Sequence, residues 1–106
     1  MFVSIGPGED GEPGLEDASN FTEFYVDARG RALSGVAAAL ERRGAGYVCD
    51  GHAWVYRSFL EAELATAGDG WQPSFERMLV YARSRGWVSA EGQVSVRAHI
   101  EGSPES

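Results

Sequence analysis

The dipeptide Asp50–Gly51 lies between two short apolar runs, within the stretch YVCDGHAWVY at residues 47–56. Asp-Gly strongly favours a two-residue β-hairpin turn, because both turn positions need positive φ angles that these residues tolerate. After the turn, a strand pattern continues only to about Tyr56 or Arg57. A helical spacing describes residues 55–67 better, with apolar side chains at Val55, Tyr56, Phe59, Leu60 and Leu64. The pattern fits a hairpin whose second strand passes into a helix, and it also fits a helix with Asp50 as its N-cap and Gly68 as its stop.

Two other segments have the residue spacing of amphipathic helices. The first, residues 31–44, has Gly44 as its stop signal. The second, residues 72–86, has Pro73 in its first turn, and Gly86 with Trp87 predicts a cap that folds back onto the last turn. The apolar stripes are Leu33, Val36, Ala37 and Leu40 in the first and Phe75, Met78, Leu79 and Ala82 in the second.

Alternation of apolar and polar residues predicts strands at residues 21–28, at 46–48 and at 93–101. The alternation is strict in the last segment, QVSVRAHIE, which indicates one buried and one solvated face. The residues expected to point inward are Val94, Val96, Ala98 and Ile100, and those expected outward are Gln93, Ser95, Arg97, His99 and Glu101.

The conformation of residues 52–57 decides the predicted fold. If they form a strand, the order is β-α-β-β-α-β, and we expect an α+β two-layer sandwich of the ferredoxin-like type, with an antiparallel sheet and helices on one face. If residues 52–67 are all helix, the order becomes that of a winged-helix domain with an extra N-terminal strand. We favour the sandwich, because the linker AGDGWQP is long for a helix-turn-helix.

The charge is distributed unevenly along the chain. Residues 1–28 contain seven acids and no arginine, whereas the remaining residues contain nine acids and nine arginines. Residues 6–20 are rich in glycine, proline and acids, which predicts a flexible acidic N-terminal arm over residues 1–20. We expect one domain over residues 21–101 and a frayed tail at 102–106. The net charge of −7 disfavours nucleic acid as a partner.

A lone cysteine, Cys49, excludes an intrachain disulfide. The start of the chain lacks the pattern of a secretory signal, and no apolar run approaches the length that spans a bilayer. The sequence therefore predicts a cytoplasmic protein that is not embedded in a membrane.

The hairpin also contains the candidate catalytic pair. Across a two-residue loop, Cys49 and His52 face each other, and Tyr47 and Trp54 form the next pair on that face. An imidazole beside a thiol can activate it as a nucleophile. Asp50 is poorly directed to orient His52, however, and free cysteines are usually small buried apolar residues. We therefore favour a structural reading and expect no metal or other cofactor, because no CxxC or HExxH spacing occurs.

Three aromatic residues are candidate binding residues. Trp71 lies in a polar, glycine-rich loop, where its indole is either exposed as an anchor for a partner or packed over the core beside Phe75. Tyr47 and Trp54 lie beside the hairpin turn. We expect a small, non-catalytic accessory or regulatory module that binds another protein, with its acidic N-terminal segment directed at a basic partner. Two alternatives stay open: an enzyme or small-molecule-binding protein that uses the face of Tyr47, Cys49, His52 and Trp54, and a winged-helix DNA-binding protein.

Overall fold

The computed structural model describes residues 1–6 and 11–105. Within these ranges the chain forms seven strands and three helices. The strands are β1 (Phe2–Ile5), β2 (Pro13–Glu16), β3 (Tyr25–Asp27), β4 (Gly46–Cys49), β5 (His52–Tyr56), β6 (Val88–Ser89) and β7 (Ser95–Glu101). The helices are α1 (Leu33–Arg42), α2 (Arg57–Ala67) and α3 (Gln72–Ser84).

The strands form one curled, mixed sheet with the order β2-β1-β3-β7-β5-β4. β1, β3 and β7 run parallel to one another, whereas β2 pairs antiparallel with β1, and β5 pairs antiparallel with both β7 and β4. The short strand β6 pairs with residues 95 and 96 of β7, and β3 pairs with residues 99–101. Because β5 occupies the opposite edge of β7, β3 and β6 share one edge and pair with different parts of it.

Side chains along each strand point alternately to the two sides of the sheet, so the sheet has an inner face toward the core and an outer face on the other side. The inner-face residues and the buried residues of all three helices form one core cluster. Full burial of each large apolar side chain contributes about 1.5–3 kcal/mol. The members of this core include Val3, Ile5, Val26, Val55, Val96 and Ile100 from the sheet and Val36, Leu40, Leu60, Leu64, Phe75 and Leu79 from the helices.

Helix α3 ends as its sequence predicts. Gly86 has a φ of 76°, its N–H donates to the carbonyl of Arg83 at 3.1 Å, and the N–H of Trp87 donates to the carbonyl of Ala82 at 2.9 Å. This pair of bonds defines the Schellman motif, which turns the chain back over the last helical turn. The indole of Trp87 consequently meets the Tyr81 ring edge-on, with ring centroids 5.9 Å apart.

The predicted hairpin is confirmed. Asp50 and Gly51 have φ angles of 52° and 78°, and Cys49 pairs with His52 across the turn. The second strand ends at Tyr56, and α2 begins at Arg57. The winged-helix alternative, which requires a helix over residues 52–67, is therefore wrong.

An α+β domain with helices packed on a sheet is present, but the antiparallel sheet predicted from the sequence is mixed. The reason is that β3 enters the sheet parallel to β7 and β1 adds parallel to β3. β7 lies between β3 and β5, so the ferredoxin-like strand order is not confirmed.

The segment predicted to be a flexible acidic arm is built into the domain wherever the structure describes it. Val3 and Ile5 of β1 are fully buried, and Pro13–Glu16 forms the edge strand β2. The guanidinium of Arg31 donates to the carbonyl of Gly6 at 2.5 Å, and Arg43 forms an ion pair with Glu12 at 3.5 Å. The acidic composition of the segment concealed the short apolar alternation of β1. Residues 7–10 of the predicted arm lie outside the described residues.

The predicted frayed tail contacts the domain through Glu105. Its carboxylate accepts a hydrogen bond of 3.0 Å from the N–H of Leu33, the first residue of α1. A carboxylate at a helix N-terminus satisfies a free N–H group and interacts favourably with the helix dipole. Residue 106 lies outside the described residues. No helix in the described ranges has the length and apolar character needed to cross a membrane.

Candidate functional site

The outer face of the sheet is the surface opposite the core, and most of its side chains are half-buried or exposed. Ser95 is an exception to its predicted exposure, since it is only 1 % exposed between the flanking residues Tyr56 and Ser89. The outer face contains two groups of side chains with different chemistry. The acidic half surrounds Tyr25, and the aromatic half surrounds Trp54 and Arg97.

In the acidic half, Tyr25 is stacked on Phe2. Parallel pairing of β1 and β3 places the two residues side by side, with ring centroids 4.9 Å apart and ring planes 11° from parallel. His99 of β7 is the partner of Tyr25 on its other side. The Tyr25 ring is thus held between two neighbouring strands while its hydroxyl end faces the charged groups around it.

Four carboxylates lie close enough to Tyr25 to affect its ionisation. Partial burial of the phenol raises the pKa of Tyr25, and the negative charges of Glu101, Glu23, Asp27 and Asp17 raise it further. One of these acids is partly neutralised, because Asp27 forms an ion pair with Arg29 at 3.6 Å. The other three form no ion pair within the described part of the chain. The surface around Tyr25 is therefore negative as well as aromatic.

The aromatic half begins at the hairpin. The rings of Tyr47 and Trp54 are stacked with centroids 6.4 Å apart, and Tyr56 is 6.1 Å from Tyr47. Trp54 pairs with Arg97 of β7, whose guanidinium lies over the ring of Trp87 at 5.6 Å. Two predicted binding residues, Tyr47 and Trp54, are thus brought together on the outer face.

A cleft of about 210 Å³ opens where β3 and β6 diverge along the edge of β7. The segment before β3 and helix α3 form its walls, and His52, Arg97 and His99 line it on the outer face. The backbone is held at this point by a 2.7 Å hydrogen bond from the N–H of Arg97 to the carbonyl of Trp87. The cleft joins an apolar interior to the polar outer face.

The candidate catalytic residues Cys49 and His52 are neighbours across the hairpin, and Cys49 is exposed. The Nδ1 atom of His52 is 3.2 Å from the backbone carbonyl of Asp50, so a peptide oxygen contacts this ring nitrogen. Among residues 1–6 and 11–105, no group of three His, Cys, Asp or Glu side chains is arranged to hold a metal ion. The pair therefore has a thiol and an imidazole, with no carboxylate bonded to the imidazole in these ranges.

Trp71 is separated from the other predicted binding residues. It is half-buried at the start of α3, where its ring meets Phe75 edge-on at 5.7 Å. It packs against the core rather than projecting from the loop. The sequence patterns did not single out Phe2 and Tyr25 as binding residues. The polar side of FTEFYVDA does place Tyr25 outward, and the alternation in FVSI is the signal that could have identified Phe2.

Comparison with known proteins gives no match. No family model fits the sequence, and neither a curated protein nor a solved structure is significantly similar to it.

Proposed function

We propose that the chain is a non-catalytic accessory or regulatory module that binds a basic segment of a partner protein with the acidic half of its outer face. The observation that carries this proposal is the gathering of four carboxylates around Tyr25, which is itself stacked on Phe2. Arginine suits such a surface, because its guanidinium pairs with carboxylates and stacks on aromatic rings.

The charge distribution along the chain supports the same partner chemistry. Asp17 and Glu23 come from the acid-rich first quarter of the sequence, whereas Glu101 comes from the last strand. Other acids of that first quarter face arginines of the chain itself, as Glu12 does with Arg43. Asp17 and Glu23 form no ion pair with an arginine in the described ranges, although both lie near the amino-terminal ammonium of Met1. We propose that they are the part of the N-terminal charge that contacts a partner. We assign the protein to the cytoplasm, because a single cysteine gives no reason for an oxidising compartment.

A labelled tetra-arginine peptide tests this proposal, with its citrulline counterpart as a neutral control of the same shape. We expect the arginine peptide to bind in a salt-sensitive manner and the citrulline peptide to bind at least about tenfold more weakly. Fluorescence anisotropy at low and high salt measures both affinities. Equal binding of the two peptides, or binding of neither, would contradict the proposal.

A pair of matched triple variants separates the site from net charge. D17N/E23Q/E101Q removes the three acids near Tyr25 that have no ion pair in the described ranges, and asparagine tolerates the positive φ of Asp17. E41Q/D69N/E91Q removes the same charge from exposed positions elsewhere. We expect at least about tenfold weaker binding for the first variant and less than about threefold for the second. Equal losses would show that only total charge matters.

A further inference from the structure

The cleft between β3 and β6 has an asymmetric lining. Its walls are mainly apolar, formed by Phe21 and Phe24 before β3, Met78 and Tyr81 on α3, and Trp87 before β6. Val96 and Ala82, which are almost fully buried, also line it. The polar side chains lie on the outer-face side, where Arg97 is flanked by His52 and His99. A ligand that fills this cleft therefore needs an apolar body and a polar end.

The positive charge of Arg97 determines which polar end the ligand needs. Its guanidinium lies 5.6 Å from the ring centroid of Trp87, and within the described part of the chain it forms no ion pair with a carboxylate. By contrast, Arg29, Arg43 and Arg57 all form ion pairs with acids of the chain. The stacking on Trp87 orients the guanidinium without neutralising it. The planar guanidinium binds a carboxylate through two parallel hydrogen bonds, and a planar carboxylate on an aromatic ring suits the mainly apolar cleft.

We propose that this cleft is a binding site for a small aryl carboxylate, with its ring between Phe21, Tyr81 and Trp87 and its carboxylate on Arg97. An apolar cavity of about 150 Å³ accommodates benzene, so about 210 Å³ suits one aromatic ring with a short acidic side chain. This site is different from the proposed partner surface, because it uses the edge of β7 and α3 rather than the stacked pair Phe2 and Tyr25, although the two share Glu23.

One acid, Glu23, also lines the cleft and opposes an anionic ligand. Glu23 and Arg97 therefore have opposite expected effects on the same ligand. Removing the carboxylate of Glu23 strengthens binding of an anion, and removing the guanidinium of Arg97 weakens it. A cationic ligand would give both effects with reversed sign.

Three probes of one shape test the proposal: 3-phenylpropionate, its neutral amide, and the cation 3-phenylpropylamine. Titration of each into the full chain, followed by calorimetry and by amide NMR shifts, gives the three affinities. We expect saturable binding of the acid at millimolar concentration or below, with at least about tenfold weaker binding of the amide and the amine. The amide shifts are expected at Phe24, Trp87 and Arg97.

Variants at the two arginines near Trp87 provide a matched control. Arg85 lies over the same ring at 5.3 Å but does not line the cleft. We expect R97Q to weaken binding of 3-phenylpropionate at least about tenfold and R85Q to change it less than about twofold. R97K is expected to weaken binding by about three- to fivefold, because the ammonium keeps the charge but lacks the planar fork of donors and the stacking on Trp87. E23Q is expected to strengthen binding about two- to fivefold.

Thermal unfolding of each variant establishes that it is folded, and R97K keeps the test valid if R97Q proves unstable. The proposal is overturned if the acid does not saturate by about 10 mM. It is also overturned if the amine binds more tightly than the acid, or if R97Q and R85Q reduce the affinity equally.

Discussion

Phe2 and Tyr25 lie side by side on adjacent parallel strands, and their rings stack at a centroid distance of 4.9 Å. This contact joins the first strand of the chain to the strand that carries the centre of the acidic half. This pair of rings therefore contributes both to the packing of β1 and to the proposed recognition of a basic partner.

Replacing the two rings separately and together measures their interaction. F2A is expected to lower the free energy of unfolding by about 1–3 kcal/mol, through lost burial and lost stacking. A double-mutant cycle of F2A and Y25A is expected to give a coupling energy of about 0.5–1.5 kcal/mol in urea unfolding. S4A, on the same face of β1, is the control, with an expected change below about 0.5 kcal/mol. Strict additivity of F2A and Y25A would contradict the stacked arrangement.

The incorporation of the N-terminal segment into the domain is tested at Ile5. Its side chain is fully buried in the core, so I5A is expected to lower the free energy of unfolding by about 2–5 kcal/mol. E12Q, which removes only an exposed ion pair with Arg43, is expected to cost less than about 0.5 kcal/mol. Chemical denaturation measures both values. A negligible cost of I5A would mean that the segment is an arm after all.

The ionisation of Tyr25 tests the negative surface around it. Because its pKa is raised in the folded protein, Tyr25 contributes stability that is complete below about pH 10 and is lost as the pH rises through the folded-state pKa. An ultraviolet absorbance titration is expected to show a late phenolate step that Y25F removes. In E23Q/E101Q that step is expected at lower pH, although burial, the larger cause, keeps it raised. An unchanged step in E23Q/E101Q would exclude the carboxylates as a cause.

The catalytic alternative is tested at Cys49. The ring of His52 contacts the backbone carbonyl of Asp50, and no carboxylate in the described ranges is bonded to it. A non-catalytic hairpin predicts that H52Q changes the rate at which iodoacetamide alkylates Cys49 by less than about threefold across neutral pH. A loss of at least about tenfold would instead show that His52 activates the thiol and would favour an enzyme.

Local signals in the sequence predicted much of the fold. The Asp50–Gly51 turn, the glycine cap of α3 and the alternation of β7 each depend on residues close together in the chain. The parallel pairing of β3 with β7 joins residues more than seventy positions apart, and nothing in the local pattern of Tyr25–Asp27 specifies that partner. Strand β1 was missed because it is only four residues long and is followed by a long acidic stretch, which dominates the composition of this segment.

The contacts within the candidate sites were likewise predictable where the residues are close in the sequence and not where they are distant. The neighbours Cys49 and His52, and Tyr47 and Trp54, follow from the hairpin register and were predicted. The stacking of Phe2 on Tyr25, and the placement of Glu101 and Asp17 near Tyr25, depend on the order of strands in the sheet. For Trp71 the sequence left two alternatives, an exposed anchor and a lid over the core beside Phe75, and its ring packs on Phe75 and the core.

Amide NMR mapping of the tetra-arginine peptide on the isotopically labelled chain tests the central claim most directly. The account predicts saturable shifts concentrated at Phe2, Tyr25 and Glu101, which disappear in D17N/E23Q/E101Q and persist in E41Q/D69N/E91Q. Shifts distributed over all exposed acids, including Asp69 and Glu91, or concentrated on α1, would contradict it.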